Sequence, residues 1–191
     1  MSDVFDVLGA DHAEIKQMLA ALQESPEFGQ GATNTVLTAR RAVAERLVMD
    51  SSRHEAAEEQ YFWPAVRQRL PSGDKLADEA IGQESEIKEL LARLDKLPAA
   101  DHEFDQLIVQ LVPVARQHIE FEEKQVWPEL SAALTAEQAH KLGEQVRKAE
   151  EHGPTRPHPR TPADPTAQRT VGTAAALIDK LRDALSGRGG G

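Results

Sequence analysis

The stretch HEAAEEQYFWP at 54–64 returns as HIEFEEKQVWP at 118–128, with His, Glu-Glu, Trp and Pro held in register while most other positions drift. Four residues along an α-helix is one turn plus about 40°, so His54 and Glu58 project from one face, and so do His118 and Glu122. A His and a Glu on a core-facing stripe are costly to bury without partners. A single His-x-x-x-Glu pair reads as a surface hydrogen bond; two copies with matching flanks do not. Metal coordination is the compensation that fits best, because imidazole suits iron, zinc and copper and a carboxylate can bridge two ions. Pro64 and Pro128 lack the N–H that would bond the carbonyls of Gln60 and Lys124, which predicts a kink just beyond each Glu, closed by Trp63 and Trp127.

The repeat extends outward. HAEIKQMLAAL at 12–22 aligns with ESEIKELLARL at 84–94, so His12 corresponds to Glu84, and each half offers a lone donor on one helix and a His-x-x-x-Glu on the next. Apolar residues Val4, Leu8, Ile15, Leu19 and Leu22 share a face with His12 and predict a first helix from about Asp3 to Gln23. Further helices are expected over about 35–70, 75–96 and 102–134, the last with Asp101 as its N-cap. Short antiparallel connections then give an all-α, up-down-up-down four-helix bundle.

TAEQ at 135–138 has the form of a capping box and predicts a fifth helix to about Glu151. HGPTRPHPRTPADP at 152–165 holds five prolines and reads as an extended linker. A short amphipathic helix follows, with Ala174, Leu177, Ile178, Leu181 and Leu185 on one face, expected to dock on the bundle or on a neighbouring subunit. The terminal RGGG is expected to be disordered. The chain therefore divides into a bundle with its fifth helix, 1–151, and a linker with a C-terminal helix, 152–191.

Of the 191 residues, 32 are acidic and 22 basic, a formal charge of −10 that disfavours a nucleic-acid or anionic membrane partner. There is no Cys, which removes disulfides, zinc-thiolate sites and thiol chemistry together. The N-terminal MSDVFDVLGADH has neither a basic start nor an apolar run, and no stretch is apolar enough to span a membrane, so a cytoplasmic location is expected.

With two matched halves in this order and spacing, residues from about 5 to 134 resemble the hemerythrin HHE cation-binding domain, whose pattern is His followed by His-x-x-x-Glu, given twice. The resemblance implies a four-helix bundle around a non-heme centre of two iron ions that handles dioxygen, hydrogen peroxide or nitric oxide. Carried over by position, it implies His12, His54 and His118 as terminal imidazole ligands and Glu58 and Glu122 as bridging carboxylates. The departure is Glu84, where the family has His; Gln83 and Glu86 are rival donors. A carboxylate there is a harder donor that should favour Fe(III), which points away from oxygen carriage and towards turnover, catalase-like or nitric-oxide-directed, or sensing. In the sensing reading, the C-terminal helix passes the state of the iron to a protein partner or a second copy. Tyr61 shares the His54 and Glu58 face and is an additional candidate iron ligand, although its counterpart in the second half is Gln125 and packing explains it as well.

Overall fold

The computed structural model describes residues 2–159 and 173–186. Its elements, all helical among the described residues, are α1 (Val4–Glu24), α2 (Asn34–Ala57), α3 (Trp63–Arg69), α4 (Gly73–Leu94), α5 (His102–Phe121), α6 (Trp127–Ala133), α7 (Ala136–His152) and α8 (Thr173–Ser186). A single 3-10 turn, Phe28–Gln30, lies in the α1–α2 loop. Asp3 caps α1 by accepting from the amides of Phe5 and Asp6, and Asp101 caps α5 through Glu103 N at 2.8 Å. Thr135 and Gln138 form the expected capping box at the start of α7.

Helices α1, α2, α4 and α5 form the bundle: α1 and α4 each pack against both α2 and α5, which leaves α2 and α5 facing across the diagonal. Two apolar clusters fill the interior. One gathers Ile15, Leu19, Leu47, Leu91, Phe104 and Leu107; the other gathers Val4, Leu8, Phe62, Trp63, Val126 and Leu130. Positions 12, 54, 58, 84, 118 and 122 fall between these clusters along their helices and form a polar layer across the middle of the core.

The breaks after Glu58 and Glu122 are not simple proline kinks. Glu58–Phe62 and Glu122–Val126 are π-helical turns, in which the amides of Trp63 and Trp127 reach back five residues to the carbonyls of Glu58 and Glu122. Each turn absorbs one extra residue directly before the proline, and α3 and α6 restart with Pro near their first position, where its missing N–H is least costly.

Helix α7 packs on α1, α2 and the first π-turn. A Cβ at Gly143 would lie 2.7 Å from the carbonyl carbon of Asp3, so only glycine permits this approach to the start of α1.

The C-terminal helix differs from expectation. It presents Asp179 and Asp183 inward and leaves Leu177, Ile178 and Leu181 exposed. Thr155 N and Arg156 N donate to Asp179, Arg156 bridges Asp183 and Asp95 at 2.8 and 2.7 Å, and His158 Nε2 lies 2.9 Å from Asp179. A ladder of charge-assisted bonds thus holds α8 by its polar side, and His158 is one of its rungs. The expected disorder of RGGG, the remaining prolines of the linker, and the side chains of Ala174 and Leu185 lie outside the described residues. No described helix is long and apolar enough to cross a membrane.

Candidate metal centre

Each donor of the polar layer is set by a helix position flanked by core residues. His12 follows Leu8 by one turn on α1, His54 and Glu58 straddle the end of α2, Glu84 lies between Ala80 and Ile87 on α4, and His118 and Glu122 straddle the end of α5. All six are buried; His12, Glu58, Glu84 and Glu122 have no exposure at all.

The six side chains converge as two overlapping sets. His12, His54, Glu58 and Glu122 form one, and Glu58, Glu84, His118 and Glu122 the other, with the ligand atoms of each set within 4.8 Å of one another. Glu58 and Glu122 belong to both, the arrangement two bridging carboxylates require. Within the layer, Nε2 of His12 lies 3.1 Å from Glu122 Oε2, Nε2 of His54 3.3 Å from Glu58 Oε2, and Nε2 of His118 3.0 Å from Glu122 Oε1. None of these pairs has hydrogen-bond geometry. The three Nε2 atoms, both oxygens of Glu58, both of Glu122 and Oε2 of Glu84 have no hydrogen-bond partner. Buried polar atoms are rarely left so, and this many orphans aimed at common points fit cations better than any pairing among themselves.

The outer nitrogens support that orientation. His12 Nδ1 is bonded to Glu123 Oε1 at 3.1 Å and His118 Nδ1 to Gln83 Oε1 at 3.2 Å, while His54 Nδ1 stands 3.5 Å from Asp11 Oδ2. An oxygen acceptor behind each ring favours the tautomer with its lone pair on Nε2, directed inward. Gln83 therefore holds the His118 ring, Glu86 is exposed, and of the three rivals on α4 it is Glu84 that enters the layer. Lys16 reinforces Glu123 at 2.7 Å.

Glu84 has its own surroundings. Trp63 Nε1 donates to its Oε1 at 2.5 Å, and Lys88 Nζ, one turn on, lies 3.5 Å from its Oε2 while also pairing with Glu59. At the equivalent place in the other half, Trp127 stacks on His12, ring centroids 5.0 Å apart and 13° from parallel. Each Trp thus covers the lone donor of the opposite half, as an aromatic face against imidazole and as an N–H donor against carboxylate. Tyr61 is half-buried against the apolar cluster of Phe62 and Trp63.

Electrostatically the layer is in tension without a cation. Burial drives the pKa of Glu58 well above the ordinary carboxylate range, with Glu122 and Glu84 adding to it. Burial does the same to Glu84, against the pull of Lys88. Burial would also raise Glu122, but His118 and His12 outweigh it and hold that carboxyl well below the usual range. Three carboxylates crowded in a low-dielectric layer cannot all ionise comfortably, and divalent cations would relieve them. Lys88, Asp11 and Glu123 were absent from the ligand pattern read in the sequence. Lys88 was accessible through its spacing of four from Glu84 and Glu123 through the Glu-Glu that recurs with the motif, whereas Asp11 simply adjoins a donor.

A polar His/Glu layer inside a four-helix bundle defines a metal-binding helical protein. The model of the hemerythrin HHE cation binding domain matches residues 3–130, and the chain belongs to that family. It is 24% identical over 186 residues to an uncharacterized hemerythrin-like protein of Schizosaccharomyces pombe, covering 97% of this chain and 87% of that one. It is also 24% identical over 154 residues to a DNA nickase of Nostoc sp., covering 77% of this chain but only 39% of the nickase. The crystal structure of a hemerythrin HHE cation binding domain-containing protein from Mycobacterium kansasii superposes with a TM-score of 0.65 at 19% identity, over 94% of this chain and 99% of that one, which establishes a shared fold.

Proposed function

We propose that the chain is a non-heme di-iron protein that reacts with a small oxidant, with hydrogen peroxide decomposition as the leading activity and nitric oxide or dioxygen as related substrates. The observation that carries this reading is the sharing of Glu58 and Glu122 by both donor sets. His12 and His54 would complete the ligation of one iron, and His118 and Glu84 that of the other. Bound iron would supply reversible electron transfer to a small oxidant. The protein contributes the rest: Glu58 and Glu122 hold the pair together, Glu123 and Gln83 fix two imidazoles, and the apolar clusters on either side keep bulk water out.

Glu84 decides between carriage and turnover. An oxygen donor in place of an imidazole favours the ferric state, which suits reaction with an oxidant better than storage of dioxygen. Iron-loaded protein mixed with hydrogen peroxide should evolve one dioxygen for every two peroxides, read on an oxygen electrode, and His118→Ala should abolish the rate. Oxygen evolution no faster than from the same amount of free iron would remove peroxide decomposition from the reading.

A second reading, a sensor, is favoured by one observation: Leu177, Ile178 and Leu181 are exposed on a helix already anchored by its opposite side. In that reading residues 152–191 carry a surface for a protein partner or a second copy, and the bundle of 1–151 reports its iron state to it. Leu181→Glu should then change the oligomeric state or partner binding of the full chain while leaving iron content intact. The likeness to a DNA nickase brings no nicking activity with it, and a formal charge of −10 argues against a nucleic-acid substrate. With no Cys and no need of disulfides, the chain suits a reducing compartment, and we place it in the cytoplasm.

A further inference from the structure

Two of the three imidazoles have their outer nitrogen hydrogen-bonded; His54 does not. Its Nδ1 is buried, has no hydrogen-bond partner, and faces a cavity of about 300 Å³ between α1, α2 and α7. Asp11 Oδ2 and Glu150 Oε1, on the same side, are buried with no N–H donor, two carboxyl groups turned towards each other. One ligand atom from each of Asp11, His54 and Glu150 falls within 4.8 Å of the others, the same closeness found inside the two donor sets of the centre.

The cavity walls carry the carboxyl groups of Asp11, Glu14, Asp50, Glu150 and Glu151 against Arg46, Arg53 and Arg147, five acids to three bases. Arg46 is engaged by Asp50 and Arg147 by Glu151, which leaves Asp11, Glu14 and Glu150 with Arg53. Glu150 comes from α7, beyond the matched residues 3–130.

We propose that Asp11, Glu150 and Nδ1 of His54 form a loading site for a divalent cation just outside the di-metal centre, reached from solvent through this acidic cavity. The inference rests on the di-metal reading above. Two carboxylate oxygens and one imidazole nitrogen form a donor set suited to Fe(II), Mn(II) or Co(II). His54 is common to this set and to the inner one: Nδ1 lies on the side of Asp11 and Nε2 on the side of Glu58, so one ring offers a nitrogen to each position in turn. Once the centre is filled, Nδ1 is committed to Asp11 and the outer set loses its nitrogen. The site therefore acts on the metal-free chain.

Metal-free full-length protein mixed with Co(II) in a stopped-flow spectrometer tests this. The wild type should show a fast phase followed by slower filling to about two ions per chain, one for each donor set. Glu150→Gln should remove the fast phase and slow filling by about tenfold, the scale at which a charged cleft accelerates capture, while the final content is unchanged. Glu144→Gln, on the same helix and away from the cavity, should load as the wild type does. An unaltered loading rate in Glu150→Gln would overturn the proposal, and so would a fall in its final cobalt content, since Glu150 would then belong to the centre itself. A wild type that never approaches two ions would instead defeat the di-metal reading, and this inference with it.

Discussion

At position 84 a carboxylate occupies the place that His12 holds in the other half of the repeat, and its neighbours are built for it. Trp63 donates to one oxygen and Lys88 faces the other at 3.5 Å, so part of the added negative charge is balanced before any metal is considered. The fall in reduction potential expected from Glu84 is therefore moderated by Lys88. Removing that cation as Lys88→Met should lower the midpoint potential by on the order of 100 mV, the equivalent of a unit charge a few ångströms away in a partly screened interior; protein-film voltammetry would show it, and an unchanged potential would deny Lys88 this role. Glu123→Ala should release the His12 ring and weaken metal binding by about 10–100-fold, measurable by chelator competition. The donors themselves were legible in the sequence because the repeat marks them by spacing. Of their outer partners Glu123 recurs with the motif, but which ring it stands behind depends on helix rotation and on contacts between α1 and α5, as Gln83 behind His118 depends on those between α4 and α5.

At the scale of the element, the two π-turns show what a proline does beside a ligand. Sequence revealed that Pro64 and Pro128 must interrupt the helix; whether the interruption becomes a bend or an extra residue depends on where the freed carbonyls find donors, which tertiary packing decides. The extra residue rotates α3 and α6 by roughly 100° relative to a continuous α-helix. That rotation belongs with the placement of Trp63 on Glu84 and of Trp127 on His12. Pro64→Ala restores an N–H and favours the plain α-helix. The metal-free chain should become more stable and its metal affinity should fall, as thermal melting and cobalt titration would reveal; a variant of unaltered affinity would show that the turn does not set the ligand geometry. In α8 the apolar stripe at 177, 178 and 181 suggested an inward face, yet Thr155, Arg156 and His158 hold the aspartates instead. Hydrophobic spacing alone could not foresee partners supplied by the Pro-rich segment before it.

At the scale of the whole molecule, stability and metal binding are linked through the buried acids. Glu58 and Glu84 bind protons more tightly in the folded chain than at their ordinary value of 4.5, and Glu55 and Glu150, raised chiefly by burial, reach about 8. Between these limits the four acids give the folded metal-free chain more protons than the unfolded one, which lowers its stability as pH rises, opposed by His54, whose pKa burial lowers. Glu122 has the opposite shift, and its contribution is lost only on acidification below the ordinary carboxylate range. Cations bound in the layer would take the place of the protons on Glu58 and Glu84, so the loaded protein should be stabilised relative to the metal-free chain, and more so at pH 8 than at pH 5. Urea unfolding at the two pH values, with and without metal, checks this; a metal-free chain that gains stability with rising pH would contradict it. The bundle was readable from periodicity and the repeat, whereas the fit of α7 against α1, and with it the cavity behind His54, depends on one close approach at Gly143 that no pattern announces. The central claim is that two donor sets joined by Glu58 and Glu122 hold a pair of irons. Elemental analysis of protein purified without added metal or chelator tests it most directly: about two irons per chain, one for each set, is the predicted result, and a single metal per chain, or a metal other than iron, would contradict it.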